Sequence, residues 1–344
     1  MRALITSKQK PIIVVGLGLE PNRPYADIQH LAEALGAPVI DTPKSKGALP
    51  AQHPLYAGTI GLTRTDPAYE ILDESDCILA IGFDAVELVK PWNQSQSLIW
   101  IANWANQDPR IPCDIEYIGD ITPLLQKLAS TCEQSASDNW GETRLTSFHE
   151  RLNAVALPTP QDGRTLPQHV LQAIRNTTPE DIIITTDVGS HKIFTALNWK
   201  TQAPNSYFVS NGLSAMGFGL VSAVAAAHTT GKPAICITGD AGLAMGIGEL
   251  ILLKDYALPV IIVVMNDTAL DLIRSAQKRR NRPVFGTEFS NPDYSLLAKA
   301  YTLDYAQIRD SATSESAITS ALASGRPTLI EAMIDPISYP TTVK

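Results

Sequence analysis

Two aspartates 27 positions apart, Asp240 and Asp267, each stand where an apolar run stops. Residues 234–238 are short, apolar and rich in isoleucine, and they end at Gly239-Asp240. Residues 260–265 form a second such run that ends at Asn266-Asp267. Both read as buried strands. Between them, residues 248–256 carry Leu250, Ile251 and Leu253 among Glu249, Lys254 and Asp255, the pattern of a short crossover helix that stops before Leu258-Pro259. In a right-handed βαβ unit, ligands gather at the carboxyl ends of the strands, which sets Asp240 and Asp267 side by side at the sheet rim. An oxygen-only pair suits a hard cation such as Mg²⁺ or Ca²⁺, completed by phosphate oxygens and water. Gly239, Ala241 and Gly242 would let a phosphate approach backbone amides at a helix start. Turn or cap chemistry is the plainer alternative for each aspartate.

The elements that must position these residues extend on both sides. Residues 167–175 read as a helix and residues 181–186 as a strand, and the alanine-rich piece 223–227 reads as a buried helix following Gly219. Residues 140–155 read as a linking helix between two polar stretches, 133–140 and 157–163, the second bearing prolines. At 344 residues the chain exceeds what one core usually fills, so two domains are expected.

The Gly-Asp start and Asn-Asp end at this spacing resemble the thiamine diphosphate signature of the acetolactate synthase-like and 2-oxoacid decarboxylase superfamily. The family has Gly-Asp-Gly and Asn-Asn where this chain has Gly239-Asp240-Ala241 and Asn266-Asp267. The stretches 186–192, 209–219 and 285–293 follow in the family's order, so the resemblance covers residues 160–344. The earlier stretches 10–18, 42–50, 53–61 and 81–84 resemble the family's central, Rossmann-like domain. That domain binds FAD in some members, and nothing here favours FAD. The resemblance implies an α/β fold of two Rossmann-like, doubly wound domains with mostly parallel sheets flanked by helices. It sets a central domain at 1–135, a linker with a helix at 136–163 and a diphosphate-binding domain at 164–344.

Carried onto this sequence, the resemblance implies thiamine diphosphate and Mg²⁺ as cofactors, with Asp240, Asp267 and the Ala269 carbonyl as metal ligands. Val188, Gly189, Ser190 and His191 match the loop that meets the diphosphate, and Met216 matches the apolar residue beneath the bent cofactor. Ser214, Gly239, Ala241, Gly242 and Leu272 complete the cofactor-binding set. His191 also reads as an ordinary helix-start histidine, and Met216 as a gap-filling core residue. No catalytic residue is expected in this chain. The family's activating glutamate lies on a pyrimidine-binding domain, which is expected on a partner chain, in a homo- or hetero-oligomer acting on a 2-oxoacid. Asp267 for the usual asparagine is benign, because an anionic oxygen binds Mg²⁺ at least as well. Asp271 stands where the family has glycine, and an extra carboxylate there would repel a diphosphate unless it turns away or joins the metal shell. A noncatalytic subunit or pseudoenzyme is therefore a second reading.

A third reading, an NAD-binding oxidoreductase, rests on Gly16 and Gly18 after a strand; the third glycine of that fingerprint is absent. Read plainly, the two glycines allow a tight turn. A net charge of −8 argues against a general nucleic-acid binder. One basic cluster, residues 278–282, is expected to solvate a loop near the cofactor mouth or to meet an anionic substrate or partner. Hydrophobic residues at 44% and charged residues at 18% describe a well-buried globular protein. Four cysteines without Cys-x-x-Cys spacing fit free thiols in a reducing cytoplasm. No run approaches the roughly 20 apolar residues of a membrane span.

Overall fold

The strands at the centre of the first sheet are apolar on both faces, as strands covered by helices on each side must be, and only the edge strand 115–118 alternates half-buried with exposed residues; with their neighbours they make six. In the computed structural model, which describes residues 1–19, 23–132 and 140–339, they are β1 Pro11–Val15, β2 Val39–Asp41, β3 Tyr56–Thr59, β4 Cys77–Ile81, β5 Ser97–Ala102 and β6 Ile115–Ile118. All pair in parallel, in the order β3-β2-β1-β4-β5-β6. This is the doubly wound order of nucleotide-binding folds. Alternation along the strands divides the core in two: Ile13, Val15, Leu79, Ile81, Ile99 and Ile101 face one helical layer, while Ile12, Val14, Ile78, Ala80, Leu98 and Trp100 face the other. The helix Tyr25–Leu35 buries Ile28, Leu31, Ala32 and Leu35, one stripe at helical spacing, and ends at Gly36 in the left-handed conformation.

The helix Trp140–Asn153, expected to link two domains, buries Leu145 and Phe148 in the second of these layers. It is part of the first compact unit, which among the described residues ends at 156 and takes in 200–204; the second unit comprises residues 157–199 and 205–339. Residues 133–139 of the expected linker lie outside the described residues. Gly16 and Gly18 stand at a tight turn, in which the Leu19 amide donates to the Leu17 carbonyl at 2.8 Å, and they also answer to packing. A Cβ on Gly16 would lie 2.5 Å from the Gly82 carbonyl oxygen, and one on Gly18 only 1.8 Å from the Trp104 ring. The indole lies against the strand-end backbone where a dinucleotide loop would need open space.

The second sheet consists of β7 Ile183–Thr186, β8 Tyr207–Val209, β9 Ala234–Gly239, β10 Val260–Asn266, β11 Asp304–Ile308 and β12 Thr328–Met333. It is also parallel throughout, in the order β11-β12-β10-β9-β7-β8. Two parallel six-stranded sheets flanked by helices match the expected α/β class. The chain leaves β7 toward β8 on one side and returns to β9 on the other, so the winding reverses between β7 and β9, the place where such sheets bind ligands. The crossover from β9 to β10 differs from its expected form. Helix begins at once, as Asp240–Gly246, and passes through a 3₁₀ turn, Ile247–Glu249, into Leu250–Asp255. The helix start read at Gly239, Ala241 and Gly242 is present: Gly239 is the N-cap and the Asp240 carboxylate accepts from the Ala241 amide, which favours helix from the first residue, ahead of the segment 248–256 expected to form the crossover helix. The helix Phe218–Thr230 buries only one face, with Leu220, Ala223 and Ala227 inside and Val221 exposed. Among the described residues no helix is long and apolar enough to cross a membrane.

Candidate functional site

Three strand ends and the turn after a fourth converge on one cavity of about 190 Å³. Val188, Gly189, Ser190 and His191 follow β7, Ser214 and Met216 follow β8, Gly239, Asp240, Ala241 and Gly242 close β9, and Asp267, Ala269 and Leu272 follow β10; all line it. Met265 lies opposite Gly239 in the ladder, so Asp240 and Asp267 emerge one residue out of step at adjacent strand ends.

Each aspartate is held by its own turn. Asp240 accepts from the Ala241 amide at 2.8 Å and from Asn291 Nδ2 at 3.1 Å, and the Thr268 amide also reaches it. Asn291 donates as well to Asn266 Oδ1 at 2.8 Å, while Asn266 Nδ2 donates to the buried Glu331 at 2.7 Å. This chain of amides ties Asp240 to β10 and β12. Thr268 has φ +58°, left-handed backbone that a β-branched residue adopts only under constraint, and its turn directs the segment after Asp267 back across the cavity. Ala269 pairs with Glu288 through bonds made by the flanking Leu270 and Phe289 amides, at 2.8 and 3.3 Å. The Ala269 carbonyl therefore faces away from that ladder.

Burial and the neighbouring Asp240 and Asp271 push the Asp267 carboxyl up to about 7, against the pull of Arg274. Burial also raises Asp240. Carboxylates crowded in a buried pocket are short of positive charge, the condition a divalent cation relieves. Among the described residues no three His, Cys, Asp or Glu side chains converge as a metal cage. A hard cation here would draw on the two aspartates and the Ala269 carbonyl, with the balance from phosphate and water. This donor set fits Mg²⁺.

His191 lies flat against glycine. A Cβ on Gly189 would stand 2.7 Å from its ring, and one on Gly239 2.9 Å. The Asp187 carbonyl accepts from the ring, while Nε2 is buried without a hydrogen-bond partner. Burial lowers the imidazole to about 4, so the ring is neutral near pH 7. It is the second residue of the helix Ser190–Asn198, as the helix-start reading expected.

Other residues around the cavity had weaker signals. Asp187, fully buried, accepts from the Val188 amide at 2.6 Å and from the Gly217 amide at 2.9 Å. Gly242 is packed against it: a Cβ there would sit 2.9 Å from Asp187 Oδ2 and 2.8 Å from Thr238 Oγ1. Its small size thus serves this contact, which the phosphate-approach reading did not foresee. Tyr339, far along the chain, closes the cavity wall and meets Phe194 edge-on with centroids 5.9 Å apart. Asp271 also lines the cavity, but it does not stand bare. Ser190 Oγ donates to Asp271 Oδ2 at 2.7 Å and Arg274 Nη2 donates to Asp271 Oδ1 at 2.9 Å. The basic cluster begins in the last turn of the helix Asp271–Arg279, where Lys278 and Arg279 face the negative end of the helix dipole, and runs on into the turn beyond it.

Comparison with known proteins identifies the family of the two domains. A family model described as thiamine pyrophosphate enzyme, C-terminal TPP binding domain, matches residues 187–332, and one described as the central domain of the same enzymes matches residues 1–128. The chain is 29% identical to a probable acetolactate synthase large subunit of Methanococcus aeolicus, over 97% of its own length and 60% of the relative's. It is 29% identical to the acetolactate synthase large subunit of Parasynechococcus marenigrum, over 95% and 54%. With the acetolactate synthase isozyme 2 large subunit of Escherichia coli it shares 28%, over 97% and 61%. The chain thus spans less than two thirds of the length of these relatives.

Proposed function

The chain belongs to the thiamine pyrophosphate enzyme family, and from that premise we propose that its cavity holds the diphosphate end of thiamine diphosphate with one Mg²⁺. The observation that carries this reading is the pair of buried carboxylates, Asp240 and Asp267, at adjacent strand ends beside a carbonyl that faces away from its ladder. The cavity volume supports it: about 190 Å³ is below the roughly 300–1,000 Å³ that encloses a whole drug-sized ligand. It suits one end of a cofactor whose other end is covered elsewhere.

When bound, thiamine diphosphate supplies an electron sink for breaking or forming the bond beside the carbonyl of a 2-oxoacid. This chain's residues bind and orient. Asp240 and Asp267 would hold the cation, with the Asn291, Asn266 and Glu331 chain fixing Asp240. Met216, on the cavity wall, would support the bend between the cofactor's rings. His191 offers a neutral Nε2; a phosphate oxygen beside it favours the protonated ring, in which both nitrogens donate. The glutamate that would activate the cofactor is assigned to a pyrimidine-binding domain on a partner chain. With it the reaction is decarboxylation or carboligation of a 2-oxoacid, as the names of the relatives suggest.

Calorimetry of the full chain with thiamine diphosphate and Mg²⁺ tests the reading. Heat of binding is expected, and Asp240→Asn should abolish it. Absence of heat from the unaltered chain, with and without a pyrimidine-domain partner, would dispose of the proposal.

A further inference from the structure

Arg274 brings a charge of its own to the carboxylates assigned to the metal. Its Nη2 lies 2.9 Å from Asp271 Oδ1 and 3.4 Å from Asp267 Oδ2, and its Nη1 is 4.0 Å from Glu288. The Arg274 side chain is 13% exposed, Asp267's 5% and Asp271's 10%, so water screens these charges poorly. Three residues apart on one helix, Asp271 and Arg274 form a fixed pair, and Ser190 pins the carboxylate from the far side. The guanidinium therefore cannot swing far from Asp267 without losing Asp271. Two buried carboxylates left without a cation would be costly, and one bridging guanidinium offsets that cost. A divalent ion at Asp267 would bring a second positive charge onto the same carboxylate.

Resting on the cofactor reading above, we infer that Arg274 is an internal counter-cation for Asp267, which an incoming divalent ion must displace, and that Asp271 is its anchor. On this account Asp271, which would otherwise repel a diphosphate, is neutralised by Arg274. Arg274 stays beside the cation site after displacement, where its charge faces the phosphates instead of Asp267.

The test is a titration of the full chain with Mn²⁺ followed by electron paramagnetic resonance, alongside thermal unfolding with and without Mg²⁺. Arg274→Gln should bind Mn²⁺ on the order of tenfold tighter than the unaltered chain. It should melt lower without metal and gain more from added Mg²⁺, because the ion takes over a role that the arginine filled. Arg274→Lys keeps the charge but lacks the fork that holds two carboxylates, and an intermediate affinity is expected. Equal or weaker Mn²⁺ binding by Arg274→Gln would overturn the inference while leaving the cofactor reading intact. Failure of both the unaltered chain and Arg274→Gln to bind Mn²⁺, in the presence of thiamine diphosphate, would overturn both.

Discussion

His191 shows how a single side chain records its surroundings in pH dependence. Pressed between two glycines and fully buried, its imidazole is lowered to about 4 in the folded chain, against about 6.5 when unfolded. Between these values the unfolded chain binds a proton that the folded chain does not, so stability present above pH 6.5 is lost as pH falls toward 4. At pH 5 this one group removes about 2 kcal/mol. His191→Gln should show a drop in unfolding free energy from pH 7 to pH 5 that is smaller by that amount, measured by urea denaturation. An equal drop in the variant would mean that the ring is already hydrated in the native state. A second residue-scale expectation concerns Asn291, which touches Asp240 and Asn266 but is assigned no bond to the metal itself. Removing a group that only orients a ligand typically weakens metal binding by roughly 10- to 100-fold. Asn291→Ala should weaken Mg²⁺-dependent capture of thiamine diphosphate in that range; calorimetry with unchanged affinity would remove Asn291 from the site's support.

At the scale of elements, two contacts decide what the helices are for. Phe148, 1% exposed, anchors the helix Trp140–Asn153 and is flanked by Arg144 and Arg151, whose guanidinium carbons lie 5.9 and 5.6 Å from its ring centroid. Both arginines also pair with Glu70. Phe148→Ala is expected to destabilise the first unit by about 3–5 kcal/mol. A loose linker helix would lose almost nothing, and urea unfolding separates the two cases. In the second unit, Gly242→Ala should destabilise by about 1–3 kcal/mol, because its methyl group would press on Asp187 and Thr238. The strands and their order of use were legible because both runs toward Asp240 and Asp267 are unbroken stretches of apolar residues, a local signal. The helix start at Gly239 to Gly242 was legible too, but the packing reason for its glycines was not, because it is contact with Asp187 and His191, residues some 50 positions away. For the same reason Asn291 and Tyr339 carried little site signal: each acquires its part only when the fold brings distant segments to the strand ends. Asp271 alone read as an obstacle, since the arginine one helical turn on was not yet its partner.

For the molecule as a whole, the cofactor reading assigns binding to one unit. Every residue lining the cavity belongs to the second unit, described residues 157–199 and 205–339. A ligand that binds only the folded form of that unit adds about 2.7 kcal/mol at a hundred times its Kd, enough to raise the midpoint of a unit this size by roughly 5–10 °C. Hydrogen exchange should show where that stabilisation lies. With thiamine diphosphate and Mg²⁺ added, protection is expected in peptides that cover the segments after β7, β9 and β10, and none is expected in peptides from β1, β4 and β5. Four of the five tryptophans, Trp92, Trp100, Trp104 and Trp140, lie in the first unit and one, Trp199, in the second. Fluorescence-detected melting should accordingly move less with the cofactor than melting followed by exchange in the second unit. Protection concentrated around Gly16, Gly18 and Trp104 instead would place the ligand at the switch point of the first sheet, and the assignment of Asp240 and Asp267 to a metal would then lose its support.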